Sequence, residues 1–130
     1  MLCRIISLFS LIYLVFTAQL VDANPIRYVA IGDSYTVATG IDEKKSWPYQ
    51  LTQKLKSAGI KISLIKVLGM RGATSQQTLS EVMPLLKHLK PEFITLLIGV
   101  NDWIREGVNS SKFKIRIKNL IDAIQSDLPT

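Results

Sequence analysis

Two hydrophobic rhythms alternate along residues 24–130. Ile26 to Ile31 is a short, largely apolar run closed by Gly32, and it predicts a first strand. Ser46 is placed to cap a helix with Pro48 in its first turn; Leu51 and Leu55 follow on one face, and Gly59 ends it. Lys61 to Val67, rich in Ile and Val, predicts the second strand. Thr74 or Ser75 opens the next helix with Leu79 and Val82 facing inward; Pro84 breaks or restarts it, and Leu85 to Lys90 completes the crossover. The apolar run Phe93 to Ile98 predicts the third strand, and a Gly-Val-Asn-Asp turn follows. Phe113, Ile117, Leu120, Ile121 and Ile124 then recur at helical spacing. The alternation Lys112-Phe113-Lys114-Ile115-Arg116-Ile117-Lys118 competes with that helix as a strand.

Residues 1–23 follow neither rhythm. Met1 to Arg4 is a short stretch with one positive charge, Ile5 to Phe16 is apolar, and Val21-Asp22-Ala23 has the small or apolar residues a signal peptidase reads. The expectation is export to the periplasm or the outside, with cleavage before Asn24. The apolar run falls short of the roughly 20 residues that span a bilayer; an uncleaved anchor and a buried N-terminal helix are the competing readings. Cys3, the only cysteine, lies in this leader, so residues 24–130 hold no thiol and no disulfide.

Strands alternating with helices argue for an α/β fold whose parallel sheet is covered on both faces by right-handed crossovers. Ligands of such sheets bind outside the carboxyl ends of the strands. Ser34 follows the first strand, Gly72 lies in the loop after the second, and Asn101 follows the third, so all three open at one end. The length allows one small domain. The net charge of +6 is unchanged by loss of the leader, which carries one cation, Arg4, and one anion, Asp22. Its cations are scattered except at Lys112, Lys114, Arg116 and Lys118, which read as a solvated face rather than a nucleic-acid or membrane patch. No metal-ligand cluster, internal repeat or Gly-x-Gly-x-x-Gly after the first strand is present in the sequence, so no metal or cofactor is expected.

A serine hydroxyl becomes a nucleophile when exposed on a tight turn beside a base, and the anion it generates needs donors placed in advance. Glycine lets a backbone N–H approach a substrate, and asparagine supplies a neutral amide donor. Gly32-Asp33-Ser34-Tyr35, Gly72 and Gly99-Val100-Asn101-Asp102 resemble, in order, the first three blocks of the GDSL or SGNH hydrolases. The resemblance runs over the whole of residues 24–130. It implies a flavodoxin-like three-layer α/β/α sandwich of sheet order 2-1-3-4-5, of which strands 2-1-3 are in this sequence. It also implies an ester hydrolase with Ser34 as nucleophile and an oxyanion hole from the Ser34 and Gly72 amides and the Asn101 side chain. Gly32, Asp33, Gly99 and Asp102 support those turns. Asp33 and Asp102 are expected to brace them through hydrogen bonds to nearby backbone N–H groups, not to act as catalytic acids.

The family's base and its orienting acid come from a late Asp-x-x-His block, which does not occur here. His88, the only histidine, precedes the third strand and belongs at the opposite end of the sheet, roughly 20 Å away. The sequence therefore reads as the front part of a hydrolase of acyl esters, lysophospholipids, thioesters or carbohydrate acetates, inactive by itself and open to completion by a C-terminal segment. A noncatalytic exported binding fragment is the alternative. An acyl-carrier module is disfavoured by the basic charge and the export leader, and an α/β-hydrolase elbow by Thr36 where glycine is needed. Tyr35 and Trp103 read either as subsite or as packing residues, Trp47 as core, and Asn109 as a formal glycosylation sequon or, more simply, a helix start.

Overall fold

A computed structural model describes residues 24–128; the leader and its cleavage site lie outside them. Three parallel strands, β1 (Ile26–Gly32), β2 (Ile62–Gly69) and β3 (Phe93–Leu97), form a sheet of order β2-β1-β3. From β1 the chain steps to β2 on one side and then crosses back to β3 on the other. Right-handed crossovers in opposite directions put their helices on opposite faces. Helix α1 (Trp47–Ser57), reached through a 3-10 turn Glu43–Lys45, covers one face through Trp47, Leu51 and Leu55, which pack on Tyr28, Ala30 and Ile62. On the other face Val29, Ile31 and Leu68 meet Val82, Met83 and Leu86 of the crossover before β3 and Leu120 and Ile124 of the C-terminal helix. Val29, Ile31, Leu86 and Leu120 are fully buried there, and each contributes about 2 kcal/mol by leaving water. The fold is thus α/β, with helices on both sides of a parallel sheet.

Helix α2 is composite. The Thr74 side chain accepts from the Gln77 N–H, and the Gln77 side chain accepts from the Thr74 N–H, a capping box that fixes the start. An α turn Ser75–Gln77 then widens into a π turn Thr78–Val82 and returns to α at Met83–Leu86. Pro84 sits in that last turn's first positions, so the ring restarts the helix without ending it. The helix stops at Leu86, short of the expected Lys90, and leaves His88 exposed in the turn before β3.

Three further expectations change. After β3 the chain folds into a short helix, α3 (Val100–Ile104), in place of a simple turn. α4 (Ser110–Asp127) is helical through Lys112–Lys118, so the 3.6-residue period prevails over the alternation; Asn109 caps it, accepting from the Lys112 N–H at 2.9 Å. Of its predicted inner face, Ile121 is exposed. β2 runs to Gly69 and carries a bulge: Tyr28 pairs with Leu64 but Val29 with Lys66, leaving Ile65 extra. The extra residue shifts the alternation, so that Val67 faces α1 and Leu68 faces α2.

Within the β3 run, Thr95 is the polar exception, and its hydroxyl pairs with the Tyr28 hydroxyl at 2.7 Å. The Tyr28 ring stacks at a tilt on Phe93, centroids 5.0 Å apart. Burial pushes the Tyr28 phenol above its ordinary value, partly offset by the Thr95 hydrogen bond. A group whose folded pKa is raised contributes stability that is full below its unfolded value, about 10, and is lost as pH rises through the folded value. Urea unfolding of the wild type should therefore weaken more steeply than that of Tyr28→Phe above about pH 10, whereas at neutral pH Tyr28→Phe should be the less stable by about 1 kcal/mol for the lost hydrogen bond.

Candidate active site

The sheet's direction of growth reverses at β1, between β2 and β3, and the loops at the carboxyl ends of the three strands meet there. β1 delivers Asp33 and Ser34 into a tight turn. The Asp33 carbonyl accepts from the Thr36 and Val37 N–H groups at 3.0 and 3.1 Å, and its Oδ1 accepts from the Tyr35 N–H at 3.0 Å. Asp33 is buried by this wrapping and Ser34 is half-buried beside it. The expected bracing role of Asp33 is what the structure has.

The loop after β2 brings Gly72 into a left-handed conformation, φ +74°, which glycine adopts without strain. The Gly72 carbonyl accepts from Arg105 Nη1 on the far side of the site. Ala73 donates its N–H to the Met70 carbonyl at 3.1 Å. Among the described residues, the N–H groups of Ser34 and Gly72 have no hydrogen-bond acceptor within the chain.

β3 ends at Leu97, and Gly99 turns the chain at φ +125° into α3. A side chain at Gly99 would also collide with the Phe113 ring, so this glycine is required by both conformation and space. From α3 the Asn101 amide reaches across both other loops: Nδ2 donates to the Ala73 carbonyl at 2.9 Å and lies 3.4 Å from Asp33 Oδ2. The second contact is long for a hydrogen bond. Ser34, Gly72 and Asn101, with Gly32, Asp33, Gly99 and Asp102 around them, are thus brought to one end of the sheet.

Asp102 does something other than brace its own turn. Its carboxylate is fully buried and accepts from the Ser75 N–H at 2.7 Å, the Ser75 hydroxyl at 2.5 Å and Arg116 Nη1 at 3.1 Å. These partners lie 27 and 14 residues away, on α2 and α4. Arg116 also binds Glu106 at 2.5 Å. The hydrogen bond to Glu106, then that to Asp102, hold the Arg116 guanidinium above its ordinary value, so it stays charged. Arg116 is therefore not part of the solvated basic face to which the sequence assigns it; Lys112, Lys114 and Lys118 are exposed, and Lys118 pairs with Asp122. Neither Ser75 nor Arg116 carries a sequence signal of this role beyond Ser75 opening a helix.

His88 lies near the amino end of β3, away from these loops. Tyr35 and Trp103 are exposed, not packed, while Trp47 is half-buried against the α1 face of the sheet. Between α3 and the start of α4 lies an open, mostly apolar pocket of about 510 Å³, lined among others by Ile98, Val100, Trp103, Val108 and Phe113 and not by Ser34, Gly72 or Asn101. Among the described residues no cluster of three or more His, Cys, Asp or Glu could hold a metal ion, and no helix is long and apolar enough to cross a membrane.

A parallel α/β sheet with a turn serine, a left-handed glycine and an asparagine at successive strand ends defines a GDSL-type domain. Residues 30–130 match the GDSL-like lipase/acylhydrolase family, and the chain belongs to it. It is 30% identical over 95 residues to a thioesterase, protease and lysophospholipase of Escherichia coli, an alignment covering 73% of this chain and 42% of that protein. Among solved structures it resembles the esterase EstA of Pseudoalteromonas, inhibited by monoethylphosphonate, with TM-score 0.66 and 25% identity over 78% of this chain and 54% of that one. A family 3 carbohydrate esterase of Clostridium thermocellum is similar at TM-score 0.66 and 26% identity, covering 80% of this chain and 57% of its own. The chain thus spans about two fifths of the length of the curated relatives it matches.

Asp102→Asn leaves volume unchanged but removes the charge that Ser75 and Arg116 meet. It should lower the unfolding free energy by about 2 kcal/mol, measured by urea denaturation, with Arg116→Met giving little additional loss in the Asp102→Asn background.

Proposed function

We propose that this chain supplies the nucleophile and oxyanion hole of a serine ester hydrolase exported by its N-terminal leader. The observation that carries the reading is the convergence of the Ser34 turn, Gly72 and Asn101, tied through Asn101 to Ala73 and Asp33, with the Ser34 and Gly72 N–H groups lacking an acceptor among the described residues. Those two amides and the Asn101 amide would converge on one oxygen. Asn101 can keep its bond to Ala73 and give up the long contact to Asp33 when an anion offers a better acceptor.

In this reading Ser34 Oγ attacks the ester carbonyl carbon while its proton passes to a histidine base. The negative charge that develops on the carbonyl oxygen is met by the three donors. The carbon–oxygen or carbon–sulfur bond to the leaving group then breaks, the base returns the proton to it, and water hydrolyses the acyl-Ser34 intermediate by the same route. The base and its carboxylate partner belong to the Asp-x-x-His block that this sequence does not contain, and His88 does not replace them. The chain by itself is accordingly inactive. The relatives named above hydrolyse thioesters, lysophospholipids and carbohydrate esters, which brackets the substrate class.

Joining the C-terminal part of the Escherichia coli relative after Thr130 tests this. In a folded fusion, a fluorophosphonate should label Ser34, and Ser34→Ala should abolish both labelling and hydrolysis of p-nitrophenyl esters. Asn101→Ala should lower kcat by about 100-fold to 1000-fold with little change in KM. A well-folded fusion that neither labels nor hydrolyses would instead assign the chain to noncatalytic binding.

A further inference from the structure

The carboxyl end of the sheet carries an exposed apolar rim that the hydrolytic reading leaves unused. Trp103 and Ile104 are 73% and 68% exposed, and Tyr35, next to Ser34, is 68% exposed. Large side chains this exposed, gathered at one end of a small domain, mark a surface that meets something other than water. They differ in origin from Phe93 and Leu97, whose exposure follows from the open edge of β3; Trp103 and Ile104 lie beyond the strand end, on α3.

α3 is held rigidly by its other residues. Asn101 is bonded to Ala73, and Asp102 to Ser75 and Arg116, so the inward face of the helix is anchored and Trp103 and Ile104 are left outward. Presenting them to a partner needs no rearrangement, which removes an ordering cost.

Exposed cations outnumber exposed acids around this rim. Arg71 and Arg105 are exposed next to Gly72, and Lys112 is exposed at the start of α4. Of the acids at this end, Asp33 and Asp102 are buried and hydrogen-bonded, and Glu106 is paired with Arg116. Asp42 and Glu43 are exposed but are followed by Lys44 and Lys45. Indole and phenol rings prefer the boundary between headgroups and acyl chains, and arginines beside them favour anionic headgroups. The chain's net charge of +6 adds a long-range attraction of the same sign.

We propose that Trp103, Ile104 and Tyr35, flanked by Arg71 and Arg105, dock the catalytic end of the protein on a bilayer containing anionic phospholipid. The docked face is the one that holds Ser34, so a lipid-borne substrate would reach the site without crossing water.

The test is co-sedimentation of the full chain with vesicles of phosphatidylcholine plus phosphatidylglycerol, compared with phosphatidylcholine alone, together with tryptophan emission. The expected result is salt-sensitive binding to the anionic vesicles with a blue shift that Trp103→Phe removes. The double variant Trp103→Ala/Ile104→Ala, altered only at exposed positions, should keep its thermal melt and bind at least about ten-fold more weakly. Arg71→Gln should reduce the preference for phosphatidylglycerol. The apolar N-terminal run is common to every variant and cancels in the comparison. Equal binding by the double variant, equal binding to both vesicle types, or a blue shift with a soluble short-chain ester but not with vesicles would each overturn the proposal. Ser34→Ala should bind vesicles like the wild type, so failure here and failure of the hydrolytic reading are told apart.

Discussion

The buried Asp102 carboxylate is the constraint on which the organisation of the site rests. A charge placed 1% exposed inside a domain this small is tolerated only when its oxygens are met by donors. Its donors come from two other elements, the first residue of α2 and the middle of α4. Satisfying one carboxylate therefore fixes the loop after β2, the helix after β3 and the long C-terminal helix relative to one another. Asn101, the preceding residue, is carried to the Ala73 carbonyl by the same arrangement.

The sheet supplies the second half of the geometry. Because the chain moves outward from β1 in both directions, its crossovers occupy opposite faces and the loops after β1 and β3 face each other across the reversal. Glycine then solves two local problems: Gly72 turns at a positive φ beside the Arg105 guanidinium, and Gly99 gives way to the Phe113 ring. Membership of the GDSL-like family accords with this layout. The Asp-x-x-His block of the family does not occur in this sequence.

Much of this was legible beforehand because it depends on local periodicity. β1 and β3 lie within a residue of the expected bounds at each end, Thr74 and Asn109 open α2 and α4 through side chains that act within one turn, and Gly59 follows the end of α1 with a left-handed backbone. Asp33 braces its own turn for the same reason. The boundaries that moved did so where tertiary packing intervened. The bulge at Ile65 lengthened β2, and α2 adopted a π turn around Val82 that no single-residue preference announces.

The sequence by itself determined the strand and helix order, the placing of Ser34, Gly72 and Asn101 at one end of the sheet, and the kinship with GDSL hydrolases. Those follow from hydrophobic period and from residue types at fixed short spacings. Only the tertiary structure decided what Asp102 holds, that Arg116 is a structural cation and not a solvated one, and that Trp103 and Ile104 point outward while Trp47 packs. Each of these turns on which distant segment a side chain meets, and contacts across 14 or 27 residues are set by packing of the whole chain, not by its local pattern.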